Sequence, residues 1–193
     1  MSRIVFWVSI ISLVILLGIE LGTSYDEPAR QIALAFTNVS VIAIVILIRR
    51  SFTEQEKVLL AMIAVAAALG VWFDALGNFV NFYARFFWWD RVAHSFGSAA
   101  AAVMSAGLFL HFELKKLIRL TPWFHVLVAV SVSVFFTVLY EISELFGDEW
   151  FKLHRVTDMY DTADDLRFNL LATIPAALIV VFVAKRLKLI GQN

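Results

Sequence analysis

Residues 90–112 read Asp-Arg-Val-Ala-His-Ser-Phe-Gly-Ser-Ala-Ala-Ala-Ala-Val-Met-Ser-Ala-Gly-Leu-Phe-Leu-His-Phe, and two features of this run organise the rest of the chain. It is long enough to cross a bilayer, which needs about 20 mostly apolar residues in a helix. Its middle, Gly97 to Ala102, carries side chains small enough to let a neighbouring helix approach closely. Its start is ionisable: Asp90 and His94 stand at i, i+4 on one helix face, continued downwards by Ser98, Ala101, Ala102 and Ser105. The pattern predicts a central spanning helix with a polar head.

Five further stretches, 4–21, 32–48, 58–73, 126–147 and 161–184, approach or meet the same length. Hydrophobic residues make up 61% of the 193 and charged ones 17%, against roughly 45–50% and 25% in soluble domains. The expected fold is an all-α integral membrane protein, a six-helix transmembrane bundle forming a single domain over 1–193. Arg3 ahead of an apolar run resembles a signal peptide, but the run ends in Gly18-Ile-Glu-Leu21 without a small-residue cleavage pattern, so it is read as an anchor. Spans three and four are separated by 79–89, where seven of eleven residues are aromatic, which predicts a short helix lying at the headgroup level. Thr121-Pro122 should open the fifth helix as cap and first residue. Pro175 should kink the sixth by freeing the carbonyl of Leu171.

The formal charge is zero, with 16 basic and 16 acidic residues, so nothing supports nucleic-acid binding. The absence of cysteine removes disulfides, thiolate metal sites and cysteine nucleophiles. Lysine and arginine sort by side. Arg3, Arg49, Arg50, Lys57, Lys115, Lys116, Arg119, Lys185, Arg186 and Lys188 share one face, predicting a plasma-membrane protein with both termini cytoplasmic. Of the 16 acidic residues only Glu54, Glu56 and Glu113 fall on that side. Acidic groups steer topology weakly, so their outward bias points to a site built at the outer face.

Four helix ends deliver polar side chains there at helical spacings: Asp74 and Asn78; Asp90 and His94; Glu141 and Glu144; Asp161, Asp165 and Asn169. At 1.5 Å per residue, His94 and Asp165 lie about 6 Å below their helix starts, a depth that Glu141 shares. Intramembrane carboxylates need protons, a bound cation or basic partners, here Arg91, Arg155 and Arg167. A carboxylate set with one imidazole suits a divalent ion such as Mg²⁺, Mn²⁺, Zn²⁺ or Fe²⁺. The candidate ligands are Asp90, His94, Glu141, Asp161 and Asp165, with Glu144 as base and Asp74, Asn78, Asn169, Arg91 and Arg155 in support. Plainer readings compete. Asp90 and Asp161 could cap their helices, with Asp161 and Asp164 imitating a capping box. His94 could hydrogen-bond within a packed core. Glu20, Asp26 and Glu27 read as interfacial solvation, and His111, His125 and His154 as helix-end or loop residues.

The motifs Asp74-x3-Asn78, Trp89-Asp90-x3-His94-x2-Gly97, Glu141-x2-Glu144 and Tyr160-Asp-Thr-x2-Asp165-Leu-x2-Asn169 resemble those of the YjdF-like polytopic membrane proteins, over about half the chain. The Glu and Asp-Leu-x2-Asn pattern is more distantly similar to VanZ-like membrane proteins. The resemblance implies a fold and motif positions, not a substrate. Three functions compete. One is a metal-dependent hydrolase or headgroup transferase acting on membrane lipids or cell-envelope intermediates. Another is a proton or cation transporter, against which the inner halves of the spans offer little polarity. The third is an accessory subunit with a structural polar core, contacting a membrane-protein partner through 79–89.

Overall fold

Each of the six apolar runs is helical in the computed structural model, as a bilayer-crossing backbone has to satisfy its own N–H and C=O groups. The structure describes residues 1–23, 28–151 and 160–190. The helices are α1 (Ser2–Gly22), α2 (Pro28–Arg49), α3 (Lys57–Phe79), α4 (Phe82–Arg85), α5 (Trp89–Leu114), α6 (Pro122–Phe151) and α7 (Asp161–Arg186), with a 3-10 turn at Glu54–Glu56. All but α4 belong to segments long and apolar enough to cross a membrane. The helices outrun the apolar stretches by up to six residues, as at α3, whose last turns carry Asp74 and Asn78. The Phe124 N–H donates to Thr121 Oγ1 at 3.4 Å, so Thr121 caps α6 as the Thr-Pro pair implied. α7 runs unbroken through Pro175.

Contacts between chain ends fix the directions. Gln31, opening α2, donates from Nε2 to the carbonyls of Glu20 and Thr23 at the end of α1, at 2.9 and 3.0 Å. Arg49, closing α2, lies over the rings of Phe6 and Trp7 at the start of α1. α3 and α5 are antiparallel in the same way, with Glu56 beside His111 and Phe73 stacked on Phe96. α5 and α7 run parallel, because Arg91 and Asp164, near the two helix starts, are paired at 3.1 Å.

α5 is the hub, packed on α3, α6 and α7, while α1 and α2 pack on the far side of α3. Leu59, Ala106, Leu110, Ala129 and Val180 form the core around α5, and Phe6, Ile10, Val45, Ile63 and Ala67 form a second core between α1, α2 and α3. The alanine run explains the hub: Ala100, Ala102 and Ala106 are buried, and backbones can close only over such side chains.

The 79–89 stretch folds back on the bundle. Asn81 turns the chain in the left-handed region at φ 60°, and only four residues then form α4. Trp89 is buried against Phe73 and Phe82, whereas Phe87 and Trp88 stay exposed. The interfacial helix is therefore shorter than the aromatic run, and part of that run is a plug over the end of α3.

A Cβ added at Gly70 on α3 would lie 3.1 Å from Ala100 Cβ, while one at Gly18 on α1 meets nothing within 4 Å. Gly70→Leu should therefore cost about 1–3 kcal/mol through overpacking and lower the melting temperature in detergent. Gly18→Leu should leave it unchanged, and equal melting temperatures for the two variants would contradict this packing.

Candidate functional site

Three helices bring their ends to one imidazole. His94 lies on the second turn of α5, Glu141 on α6 and Asp165 on the second turn of α7, all at the end of the bundle that also holds α4. His94 Nε2 is 3.7 Å from Asp90 Oδ1 and 3.6 Å from Asp165 Oδ2, while Nδ1 is 3.4 Å from Glu141 Oε1. Asn169 Nδ2 lies 3.5 Å from the same Nδ1. Glu141 is 5% exposed, Asp165 3% and Asn169 1%. Two atoms in this group, Glu141 Oε1 and Asn169 Oδ1, are buried without a hydrogen-bond partner.

The separations are informative. At 3.4–3.7 Å the groups converge without forming good hydrogen bonds, which for N–H···O lie at 2.7–3.2 Å. Donors held on metal bonds of about 2.0–2.2 Å at the tetrahedral angle stand about 3.3–3.6 Å apart, a spacing that the contacts to Glu141 and Asp165 meet and that to Asp90, at 3.7 Å, slightly exceeds. Two sets have one ligand atom per residue within 4.8 Å of the others: Asp90, His94 and Asp165, and His94, Glu141 and Glu144. The ring nitrogens face opposite ways, so His94 divides the expected ligands into two groups rather than gathering them round one point. Asp161 belongs to neither set, and it lines the adjoining cavity.

That cavity has a volume of about 960 Å³ and is lined by residues from all four expected helix ends, among them Asp74, Asp90, Glu144 and Asp161. Asp74 is held in place: Tyr83 Oη donates to its Oδ1 at 3.0 Å, and Asn78 Nδ2 to its carboxylate and carbonyl at 3.2 and 2.9 Å. Arg91 donates to Asp164 Oδ2 at 3.1 Å, and Arg167 lies 3.5 Å from the other oxygen of Asp164. Two of the basic residues expected to neutralise the cluster therefore serve Asp164. Arg155 lies outside the described residues, as do Asp26, Glu27 and His154. Asp90 and Asp161 lie in the first turns of α5 and α7, whose preceding residues, Trp88 and Tyr160, make no side-chain cap hydrogen bond.

Sequence spacing alone did not disclose several members of the site. Tyr83 comes from the aromatic run and reaches Asp74 only because Asn81 reverses the chain. Tyr140 sets its ring edge-to-face on His94, with centroids 5.7 Å apart, and reads in sequence as one more lipid-facing aromatic. Glu20, read as solvated, is fully buried, with Asn38 Nδ2 donating to its Oε2 at 3.0 Å. His111 and His125 do lie at helix ends, but each is buried against a glutamate, His111 Nδ1 being 2.8 Å from Glu56 Oε1 and His125 pairing with Glu113.

These observations define a polytopic α-helical membrane protein with an acidic, histidine-centred cavity at one end of its bundle. The chain belongs to the family described as Predicted membrane protein (DUF2238), which it matches over residues 3–186. It is also 34% identical over 112 residues to an uncharacterised protein of Thermotoga maritima, an alignment covering 55% of each chain. The chain thus spans about half the length of that curated relative. No solved structure matches it.

Burial, followed by the neighbouring charge of Asp74, raises the Tyr83 phenol above its ordinary value of 10.0. A raised value keeps the neutral form, so Tyr83 should remain protonated through about pH 11, beyond the usual tyrosine range. The tyrosinate absorbance of wild type and Tyr83→Phe should then superimpose up to that pH. An extra group ionising near pH 10 in the wild type alone would show that the phenol is exposed.

Proposed function

We propose that this end of the bundle binds a divalent cation between Asp90, His94 Nε2 and Asp165 and acts on a phosphorylated headgroup at the outer leaflet. The observation that supports the reading is the spacing around His94, longer than good hydrogen bonds and close to that of ligand atoms sharing an ion. Oxygen and imidazole donors suit Mg²⁺, Mn²⁺, Fe²⁺ or Zn²⁺. Glu141, 3.4 Å from Nδ1, then stands where carboxylates behind metal-bound histidines stand, and on metal binding it would close on the other ring N–H and fix the tautomer. Asp161 lies outside the ligand group in this reading.

A bound cation would polarise a phosphoryl oxygen or activate water. Glu144 lies in the group on the Nδ1 side and also lines the 960 Å³ cavity, a position suited to a general base. The outward direction rests on the lysine and arginine bias, which assigns the opposite end to the cytoplasm of a plasma-membrane protein. The motif resemblance to YjdF-like proteins agrees with the matched family of predicted membrane proteins and adds no substrate.

Elemental mass spectrometry of the detergent-purified protein tests the proposal. Wild type should carry close to one equivalent of a divalent metal, and His94→Ala and Asp165→Asn should lose it. Glu141→Gln should keep the site and weaken metal affinity about 10–100-fold, the usual effect of removing a ligand's supporting partner. Wild type without metal, or metal content unaffected in all three variants, would sink the reading.

A further inference from the structure

We propose that a second, deeper pocket beneath His94 receives a single hydrocarbon chain of the amphiphile whose phosphorylated head occupies the larger cavity. This deepens the headgroup reading above and rests on it. The second pocket has a volume of about 240 Å³ and shares Asp74, Tyr83, His94 and Tyr140 with the first, so the two adjoin around His94. On α5 it runs past Ser98 to Ala101, about 12–16 Å below Asp90 at 1.5 Å per residue. That is bilayer-midplane depth, reached more readily by a chain than by a soluble ligand.

The walls change character with depth. At the top, Asn169 is 1% exposed, lines the pocket and leaves its Oδ1 without a partner. Below, the hydroxyls are consumed internally: Ser98 donates to the His94 carbonyl at 2.8 Å, Ser133 to the Ser98 carbonyl at 2.9 Å and Thr137 to the Ser133 carbonyl at 2.8 Å. The floor therefore presents hydrocarbon. Gly97 supplies the space. A Cβ there would meet nothing within 4 Å, whereas one at Gly70, on the opposing helix, would press on Ala100. Gly70 is small for packing, and Gly97, itself exposed, borders the open side of the pocket.

The pocket can be entered from the side, because Phe136 forms part of its wall and is 56% exposed on the outer surface of α6. At about 30 Å³ per water-sized group, the volume takes on the order of eight methylenes, about half of one long chain. At the other end, Arg30 lines the larger cavity and makes no ion pair among the described residues, which suits a phosphate.

Photocrosslinking with hexadecyl phosphate carrying a mid-chain diazirine tests this, with metal content measured in parallel. Labelling should map to α5 and α6 around the pocket and fall about tenfold in Gly97→Leu, with melting temperature unchanged. Ala101→Phe provides a second blocking variant should Gly97→Leu fail to fold. Unlabelled hexadecyl phosphate should compete, and inorganic phosphate or a diacyl phosphatidic acid should not. Undiminished labelling in the folded blocking variants, or equal competition by either control, would overturn the proposal. Pocket-dependent labelling in a protein without metal would uphold the chain pocket and overturn the metal reading alone.

Discussion

A polar side chain inside a bilayer has no water to turn to, so it has to find its partner in the protein. The arrangement of this bundle follows from that constraint. Except for Glu141, its buried ionisable groups sit near helix ends, and the middle of the bundle is closed over alanine, leucine and valine. α5 makes this possible because its small residues let α3, α6 and α7 crowd round one axis. Groups from four helices can then meet at either end of it.

The two ends use similar residues to different effect. At the end carrying the α5–α6 connection, Glu56 accepts from the Thr53 N–H and hydroxyl, both at 2.6 Å, and meets His111 at 2.8 Å, while Phe52 stacks on the imidazole. Glu113 and His125 form a second pair beside it. Those carboxylates are engaged in close contacts that staple α3, α5 and α6 together. At the opposite end the histidine stands 3.4–3.7 Å from three carboxylates, with buried oxygens left unpartnered and a cavity alongside. A cluster serving only stability would be expected to close up as its counterpart does. The proposed ligand site rests on that open geometry.

Apolar run length was enough to read the six helices, and helical spacing with matched depth was enough to place Asp90, His94, Glu141 and Asp165 in one layer, but not to show that their helices meet. Both are local properties of a 3.6-residue period. What stayed hidden depends on contacts between distant segments. Nothing in the spacing of Tyr83 and Asp74 shows that Asn81 reverses the chain between them. Glu20 looks like an interfacial residue until α2 brings Asn38 against it. Depth matching put Asp90, Asp165 and Glu141 in one ligand shell, but the two nitrogens of a single imidazole divide them, and only the ring's orientation could reveal that.

Helix direction supplies the last element of the site. α5 and α7 both begin here, so the positive ends of their dipoles and their free N–H groups face the cluster. Asp90, Asp161 and Asp164 all lie in first turns, where that field favours a carboxylate. α6 passes the opposite way and brings Glu141 from a position well inside its length, where no such field helps it. Asp90 and Asp161 are thus eased by their own helices, whereas Glu141 depends on what lies across from it. The imidazole of His94, its Nδ1 3.4 Å away, and the side chain of Thr162 at the start of α7 are the partners in reach. The same parallel pair of helices therefore tolerates the acidic layer and supplies partners to the one carboxylate that its dipoles do not reach.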